Sequence, residues 1–409
     1  MNNPTTSIRS QFPALLQMDA SDQVYLDNAA TTQIPAGVIQ TLIDFYSNPQ
    51  GNVHRSNHHP GRQTTNQFEQ ARKKVAQYIG AETPASIVWT SGTTEAINLL
   101  CYSWAENHLR AGDEILLSEL EHHANLVPWQ QLAKRLGVIL KWIPLNSQGL
   151  LDMETAQRLL TDKVKLLAIT QASNVTGVIN VLKPIINLAK SRDICVVVDG
   201  AQAIAHMNIN VSELGCDFFT FSAHKLYGPK GIGVLYVAPH RHSEMSPLKT
   251  GGEMVKLVTK DISTFQSMPL LLEAGTPNIA GVIGLGATID FLQQQDLPAL
   301  WQNEQILHDE LMTALIEIDG IQILAMSDTQ QPKVPLLSFT IAGLHHFDIA
   351  ALLDEQHIYV RSGKHCAMPL MNKLSISGSI RVSIGIYNNN NDIRLFITRL
   401  NKAIKLLKT

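Results

Sequence analysis

From residue 86 to residue 238 the chain alternates short, apolar, β-branched runs with longer amphipathic stretches, and that alternation narrows the possible folds more than any other feature. SIVWT (86–90), EILLSEL (114–120), VILKWIPL (138–145), VKLLAIT (164–170), ICVVVD (194–199), FFTFSAH (218–224) and IGVLYVA (232–238) read as strands. Helical periods follow Thr93, follow Pro128 and fill VLKPIINLAKSRD (181–193). Strands apolar on both faces and separated by helices predict a mainly parallel sheet with helices on both sides, an α/β fold.

The pattern changes after about residue 278. Helices are predicted at 279–294, 301–317 and around 347–356, with a closing helix to Lys408. Strands are predicted at 321–325, 336–343, 358–363 and 379–387, giving a smaller α+β domain. The expected division is an N-terminal arm (1–20), a large domain (21–278) with helices within 37–80, and a small domain (279–409) on which the N-terminal segment can pack. Asn388–Asn391 reads as a turn and helix cap before Asp392.

Charge excludes some functions. Lys plus Arg is 32 against 35 Asp plus Glu, a net charge of −3, so a nucleic-acid binder with a basic excess is not expected. Apolar residues are 45%, which excludes a disordered chain. No apolar run approaches the ~20 residues that cross a bilayer, and the N-terminus lacks a signal-peptide layout, so the expectation is a cytoplasmic protein with no membrane contact. The four cysteines form no CxxC pair, which argues against a disulfide framework or a zinc module. Cys101, Cys195 and Cys216 sit in apolar contexts and read as core thiols. His58-His59, His240-x-His242 and His345-His346 lack companion ligands, so no metal is expected. No P-loop motif occurs, and Gly284-x-Gly286, inside an apolar helical pattern, reads as close helix packing.

The chemistry gathers at strand ends, where α/β folds place ligands. Ser222-Ala-His224-Lys225 ends one apolar strand and runs into Leu-Tyr-Gly-Pro-Lys-Gly. A lysine there, with hydroxyl and imidazole neighbours, suits a Schiff base with an aldehyde cofactor. Pyridoxal phosphate also needs an anion cradle and a carboxylate for its ring nitrogen. Ser91-Gly92-Thr93-Thr94, at a strand-to-helix junction, offers the first, though alone it could be a simple cap. Asp199, ending ICVVVD, offers the second, though alone it could cap a helix. His122 could stack on the ring and shuttle protons, and Asn174 could meet the ring hydroxyl; a loop histidine and a turn asparagine are their bland alternatives. Further on, Cys366 lies in a polar loop beside Arg361, Lys364 and His365, neighbours that favour thiolate. Arg381 suits a substrate carboxylate, or a surface ion pair.

These residues carry a resemblance. YLDNAATT (25–32), GNVHR (51–55), SGTTEAIN (91–98), EHHANLVPW (121–129), SNVTG (173–177), VDGAQ (198–202), SAHKLYGPKGIG (222–233), EAGTPN (273–278) and RSGKHCAMPL (361–370) together resemble fold-type I pyridoxal-phosphate enzymes of the class V aminotransferase family, and within it the group II cysteine desulfurases of the SufS and CsdA type. The resemblance implies that Lys225 holds the cofactor aldehyde and removes the α-proton. It implies that Asp199 pairs the ring nitrogen, that Gln202 and Asn174 contact the ring oxygen, and that His122 stacks on the ring. Thr93, Thr94, Ser222 and His224 would hold the phosphate. Thr276 would reach the phosphate of a neighbouring subunit, implying a homodimer. Arg381, with Arg361 and Asn174 nearby, would bind the substrate carboxylate, and Cys366 would accept sulfur as a persulfide, releasing L-alanine. A SufE-like protein would take the sulfur onward, to iron–sulfur cluster assembly or other sulfur trafficking.

The same residues also suit a cysteine sulfinate desulfinase or a selenocysteine lyase. A plain aminotransferase would leave the Cys366 loop without a purpose. A pyridoxal-fold scaffold without catalysis would need none of Lys225, Asp199 and Cys366.

Overall fold

A computed structural model describes residues 8–324 and 331–408 of the chain. The larger sheet has seven strands: β1 (Ile87–Thr90), β2 (Glu114–Ser118), β3 (Ile139–Ile143), β4 (Val164–Thr170), β5 (Cys195–Asp199), β6 (Phe218–Ser222) and β7 (Gly233–Val237). Their spatial order is β1-β7-β6-β5-β4-β2-β3. The sheet is mixed, because β7 runs antiparallel to both β1 and β6 while the other neighbours are parallel. A short Lys225–Ile232 turn causes this, since a connection so brief returns the chain antiparallel, whereas a parallel neighbour needs a crossover. All strands except β7 share one direction, so their carboxyl ends meet at one edge.

The apolar runs are buried on both faces. Leu116, Leu167, Val196, Val198, Phe219, Phe221 and Val234 point into one core, and the alternate residues Ile115, Leu117, Leu166, Val197, Phe218 and Leu235 into another. Helices α1 (Ala36–Ser47), α2 (His59–Tyr78) and α3 (Thr93–Leu100) lie within this half, and α4 (Ile279–Gln293) packs on α1 and α2. The paired glycines of α4 permit that contact. A Cβ on Gly286 would lie 2.8 Å from the Ala71 Cβ, and one on Gly284 would lie 2.7 Å from Pro229.

The next helix, α5 (Leu297–Ile316), starts four residues before its predicted position at 301. Asp296 caps it by accepting from the Ala299 N–H at 3.2 Å, and a proline stands in its first turn. A second sheet, antiparallel throughout, contains β8 (Ile321–Ile323), β9 (Leu336–Ile341), β10 (Arg361–Gly363) and β11 (Ser379–Ser383), in the order β8-β9-β11-β10. The predicted strand at 321–325 ends at a residue outside those described. The predicted strand at 358–363 is divided: Ile358–Tyr359 pairs in parallel with Val24–Tyr25, and only 361–363 joins the second sheet. The predicted strand at 379–387 stops at Ser383, because Ile384–Asn388 turns inward to bond Pro335, Tyr227 and Asn388 itself. The closing helix, α6 (Asn390–Lys408), begins in the asparagine run, where the Asn389 side chain accepts from the backbone N–H of Asn391 and of Asp392.

The described part of the N-terminal segment is pinned to both halves. Arg9 bonds Asp392 and the Tyr387 carbonyl, Phe12 packs edge-on against Tyr227 and Tyr387, and Asp27 bridges to Ser383. No described helix is long and apolar enough to cross a membrane.

Candidate active site

A cavity of about 230 Å³ opens at the edge where the strand carboxyl ends meet. Thr93, Thr94, His122, Asn174, Asp199, Gln202, Ser222, His224, Lys225, Arg361, Cys366 and Arg381 all line it. Thr276 does not; its hydroxyl accepts from Asn52 at 3.2 Å beside a separate cleft.

Each of these residues is placed by its element. After β1 the backbone turns through Gly92 (φ +158°) into the start of α3. There the Thr93 N–H donates to the Ser222 hydroxyl at 2.8 Å, and the two hydroxyls lie 3.0 Å apart. This joins the ends of β1 and β6 into a polar cradle at a helix start, where free N–H groups and the helix dipole favour an anion. The cradle depends on Gly233 in β7: a Cβ there would lie 2.4 Å from the Gly92 Cα.

Asp199 is buried at the end of β5, and its Oδ1 accepts from the Ala201 N–H at 2.9 Å. Burial raises its pKa, with the Ala201 bond and the charge of Lys225 only partly offsetting it. A buried carboxylate bonded by no described cationic side chain is what a protonated ring nitrogen would complete. Lys225 follows β6 on a short turn. Burial lowers its pKa to about 8, against the opposing pull of Asp199. Its amine is therefore much closer to the free-base form at neutral pH than an ordinary lysine is.

His122 lies in the turn after β2, where its Nδ1 accepts from the Ala124 N–H at 3.0 Å. That bond leaves the ring proton on Nε2. Burial, then the charge of Lys225, brings its pKa down to about 3, so the ring is neutral and its Nδ1 is already engaged. His224 is pulled down to about 4 by burial and then Lys225. Gln202 donates to the Ala29 carbonyl at 2.9 Å, which fixes the 27–32 loop over the cavity.

On the opposite wall, the Arg381 guanidinium is almost wholly buried and donates to the Asn174 carbonyl at 3.0 Å and to Asp27 at 3.1 Å. Its Nε and the Asn174 Oδ1 are buried without a partner. Burial lowers the pKa of Arg381 despite Asp27, so the site has room for a further negative charge. Arg361 is half-exposed, with an amino nitrogen 3.8 Å from Asp27. Asn174 also donates to the His365 carbonyl at 2.7 Å, on the loop whose next residue, Cys366, is an exposed free thiol. Cys101, Cys195 and Cys216 are buried free thiols.

Two residues of the site carry no role in the sequence reading. Asp27 lies in YLDNAATT, but its function depends on the pairing of this segment with β11, which sets it between two arginines. Glu121 is fully buried and accepts from Ser118 at 2.5 Å, Asn125 at 2.6 Å and the Thr170 N–H at 3.0 Å, anchoring the His122 turn to β4. Its position before the paired histidines was visible, but its burial was not. Among the described residues no group of three or more His, Cys, Asp or Glu stands in a metal-holding arrangement.

The model of the class-V aminotransferases matches residues 24–396. This chain belongs to that family. It is 44% identical over 400 residues to a probable cysteine desulfurase of Pseudomonas aeruginosa, covering 98% of both chains. It is 40% identical over 409 residues to a cysteine desulfurase of Yersinia pestis, covering both chains fully. Among solved structures it is similar to the cysteine desulfurase CsdA of Escherichia coli (TM-score 0.92, 41% identity, 99% of both chains) and to an apo cysteine desulfurase of Thermococcus onnurineus (TM-score 0.93, 34% identity, 99% of both chains). The fold is accordingly the α/β architecture of fold-type I, and the anion cradle, the unpaired carboxylate and the half-buried lysine fit pyridoxal phosphate as its cofactor.

Proposed function

We propose that this chain is a pyridoxal-phosphate-dependent cysteine desulfurase, taking sulfur from L-cysteine onto Cys366 and releasing L-alanine. The observation that carries this reading is one cavity lined by a half-buried lysine amine, a buried unpaired carboxylate and an exposed thiol. Residues 21–278 would hold the cofactor, and 279–409 would supply the thiol and the carboxylate clamp.

Thr93, Thr94, Ser222 and His224 would hold the phosphate, Asp199 the ring nitrogen, Gln202 and Asn174 the ring oxygen, and His122 the ring face. When bound, pyridoxal phosphate supplies the electron sink that makes bonds at the substrate α-carbon labile. Arg381 binds the substrate carboxylate through its free Nε edge, with Arg361 closing from the solvent side. Lys225 takes the α-proton at Nζ, which its lowered pKa keeps available as a base. Cys366 Sγ then attacks the substrate sulfur: an S–S bond forms as the C–S bond breaks and the bonding pair stays with the carbon fragment, whose β-carbon takes up one proton, balancing the one lost by the Cys366 thiol, while the α-proton is returned, giving L-alanine. Because Cys366 is exposed, the persulfide can be passed to a SufE-like acceptor protein. Thr276 and Asn52, set apart from the cavity, would complete the phosphate site of a second copy in a homodimer. A reducing compartment such as the cytoplasm would keep the thiol free.

The test is single turnover with L-cysteine and with L-cysteine sulfinate on the wild type and on Cys366→Ser. The expected result is loss of alanine and bound persulfide from cysteine, with sulfinate turnover kept. Alanine formed from cysteine at the wild-type rate by Cys366→Ser would refute the persulfide route and favour a desulfinase or selenocysteine lyase.

A further inference from the structure

The turn that carries His122 carries a second histidine that the mechanism leaves unused. His123 contacts the Cys366 loop twice. Its backbone N–H donates to the Cys366 carbonyl at 2.7 Å, and its ring Nε2 accepts from the Met368 N–H at 3.1 Å. Both bonds hold the backbone that leaves the thiol-bearing residue, on its C-terminal side.

That stretch of backbone needs support. His365 and Cys366 both have left-handed φ angles, +49° and +54°, which non-glycine residues hold only when their surroundings impose them. On the N-terminal side the loop is tied by Asn174 to the His365 carbonyl and by the His365 Nε2 to the Ser379 hydroxyl at 2.9 Å. Beyond Cys366, the His123 ring supplies the matching tie, from a different part of the fold. Its own anchor is firm: Glu121 accepts three hydrogen bonds, and the His122 ring caps the turn. Burial also lowers the pKa of His123, which suits a ring that accepts a hydrogen bond.

We infer that His123 is a positioning residue for Cys366, locking the left-handed loop so that the thiol stays beside the Lys225 cavity. The inference rests on Cys366 being the sulfur acceptor. It separates two halves of the reaction: His123 serves the attack on sulfur and not the chemistry at the α-carbon.

The holoenzyme variants His123→Ala and His123→Gln test this. Alanine removes the ring acceptor and keeps the backbone N–H, whereas glutamine returns an acceptor at comparable reach. Persulfide formation from L-cysteine in His123→Ala should fall by about ten- to a hundredfold, the loss that slight misplacement of a reacting group brings. Turnover of L-cysteine sulfinate should stay near wild type. Amide exchange across 364–370 should quicken, and His123→Gln should recover both the rate and the protection. Equal slowing of both substrates, or unchanged cysteine turnover with faster exchange, would overturn the inference while leaving the desulfurase reading in place. Cys366→Ser, run alongside, separates the two: if it still makes alanine from cysteine, the sulfur-acceptor reading fails and the role of His123 fails with it.

Discussion

Replacing Asp27 by asparagine would test the electrostatics around Arg381, the proposed carboxylate clamp. Arg381 is almost wholly buried, and Asp27 is the anion that holds it, at 3.1 Å. Removing one partner of a buried pair costs roughly 3–5 kcal/mol, because the remaining charge is left uncompensated. Here the loss should lie near the lower bound. Burial raises the pKa of Asp27 in spite of Arg381 and Arg361, so its ionised form is itself costly. For a chain of 409 residues the unfolding entropy is about 0.9 kcal/mol per degree, so a loss of about 3 kcal/mol lowers the melting temperature by about 3–4 °C. The uncompensated guanidinium charge should also attract a substrate carboxylate more strongly. L-Alanine, which carries that carboxylate, should therefore raise the melting temperature of the variant by more than that of the wild type. The assay is thermal unfolding of both holoenzymes with and without alanine. A variant that melts within about 1 °C of wild type, or that gains no more from alanine, would refute the view that Asp27 compensates a buried arginine.

Two further predictions concern the cofactor half of the cavity. Lys225 in the cofactor-free chain should be protonated below pH 8 and free base above it, since burial brings its pKa to about 8; acylation by a small reagent should rise with a midpoint there, and a rate still climbing above about pH 10 would refute the burial argument. Gly233→Ala should push the Gly92–Thr93 turn away from Ser222, because its Cβ would lie 2.4 Å from the Gly92 Cα, and should weaken pyridoxal phosphate binding by about five- to a hundredfold in a spectroscopic titration, as overpacking of about 1–3 kcal/mol implies; unchanged affinity would show that the cradle does not depend on this contact.

The elements of the larger sheet were legible because their runs are apolar on both faces and short, a pattern that survives any tertiary arrangement. VKLLAIT coincides with a whole strand, and ICVVVD differs by one residue. The strands of the second sheet were less legible: 358–363 and 379–387 are apolar beyond their pairing, because Ile384 and Ile386 are buried by a turn instead of a ladder. The antiparallel course of β7 was hidden for a related reason, since a buried strand reads the same in either direction.

At the site, Lys225 and Asp199 each had a bland alternative taken alone, and it was their joint occurrence with other cofactor-compatible groups at successive strand ends, and the motifs around them and Cys366, that singled them out. Strand periodicity is a local property and pointed to the fold class, and the short motifs, each local in itself, carried the resemblance to the family. What they could not determine were relations between segments distant in the chain. Asp27 and Arg381 are 354 positions apart and meet only because residues 24–27 pair into the C-terminal half. His123 and Met368 are 245 positions apart and meet only where two loops cross. Burial, which moves Lys225 and Asp199 in opposite directions along the pH scale and in each case favours the neutral form, is likewise a property of the assembled fold, since desolvation depends on every neighbour at once.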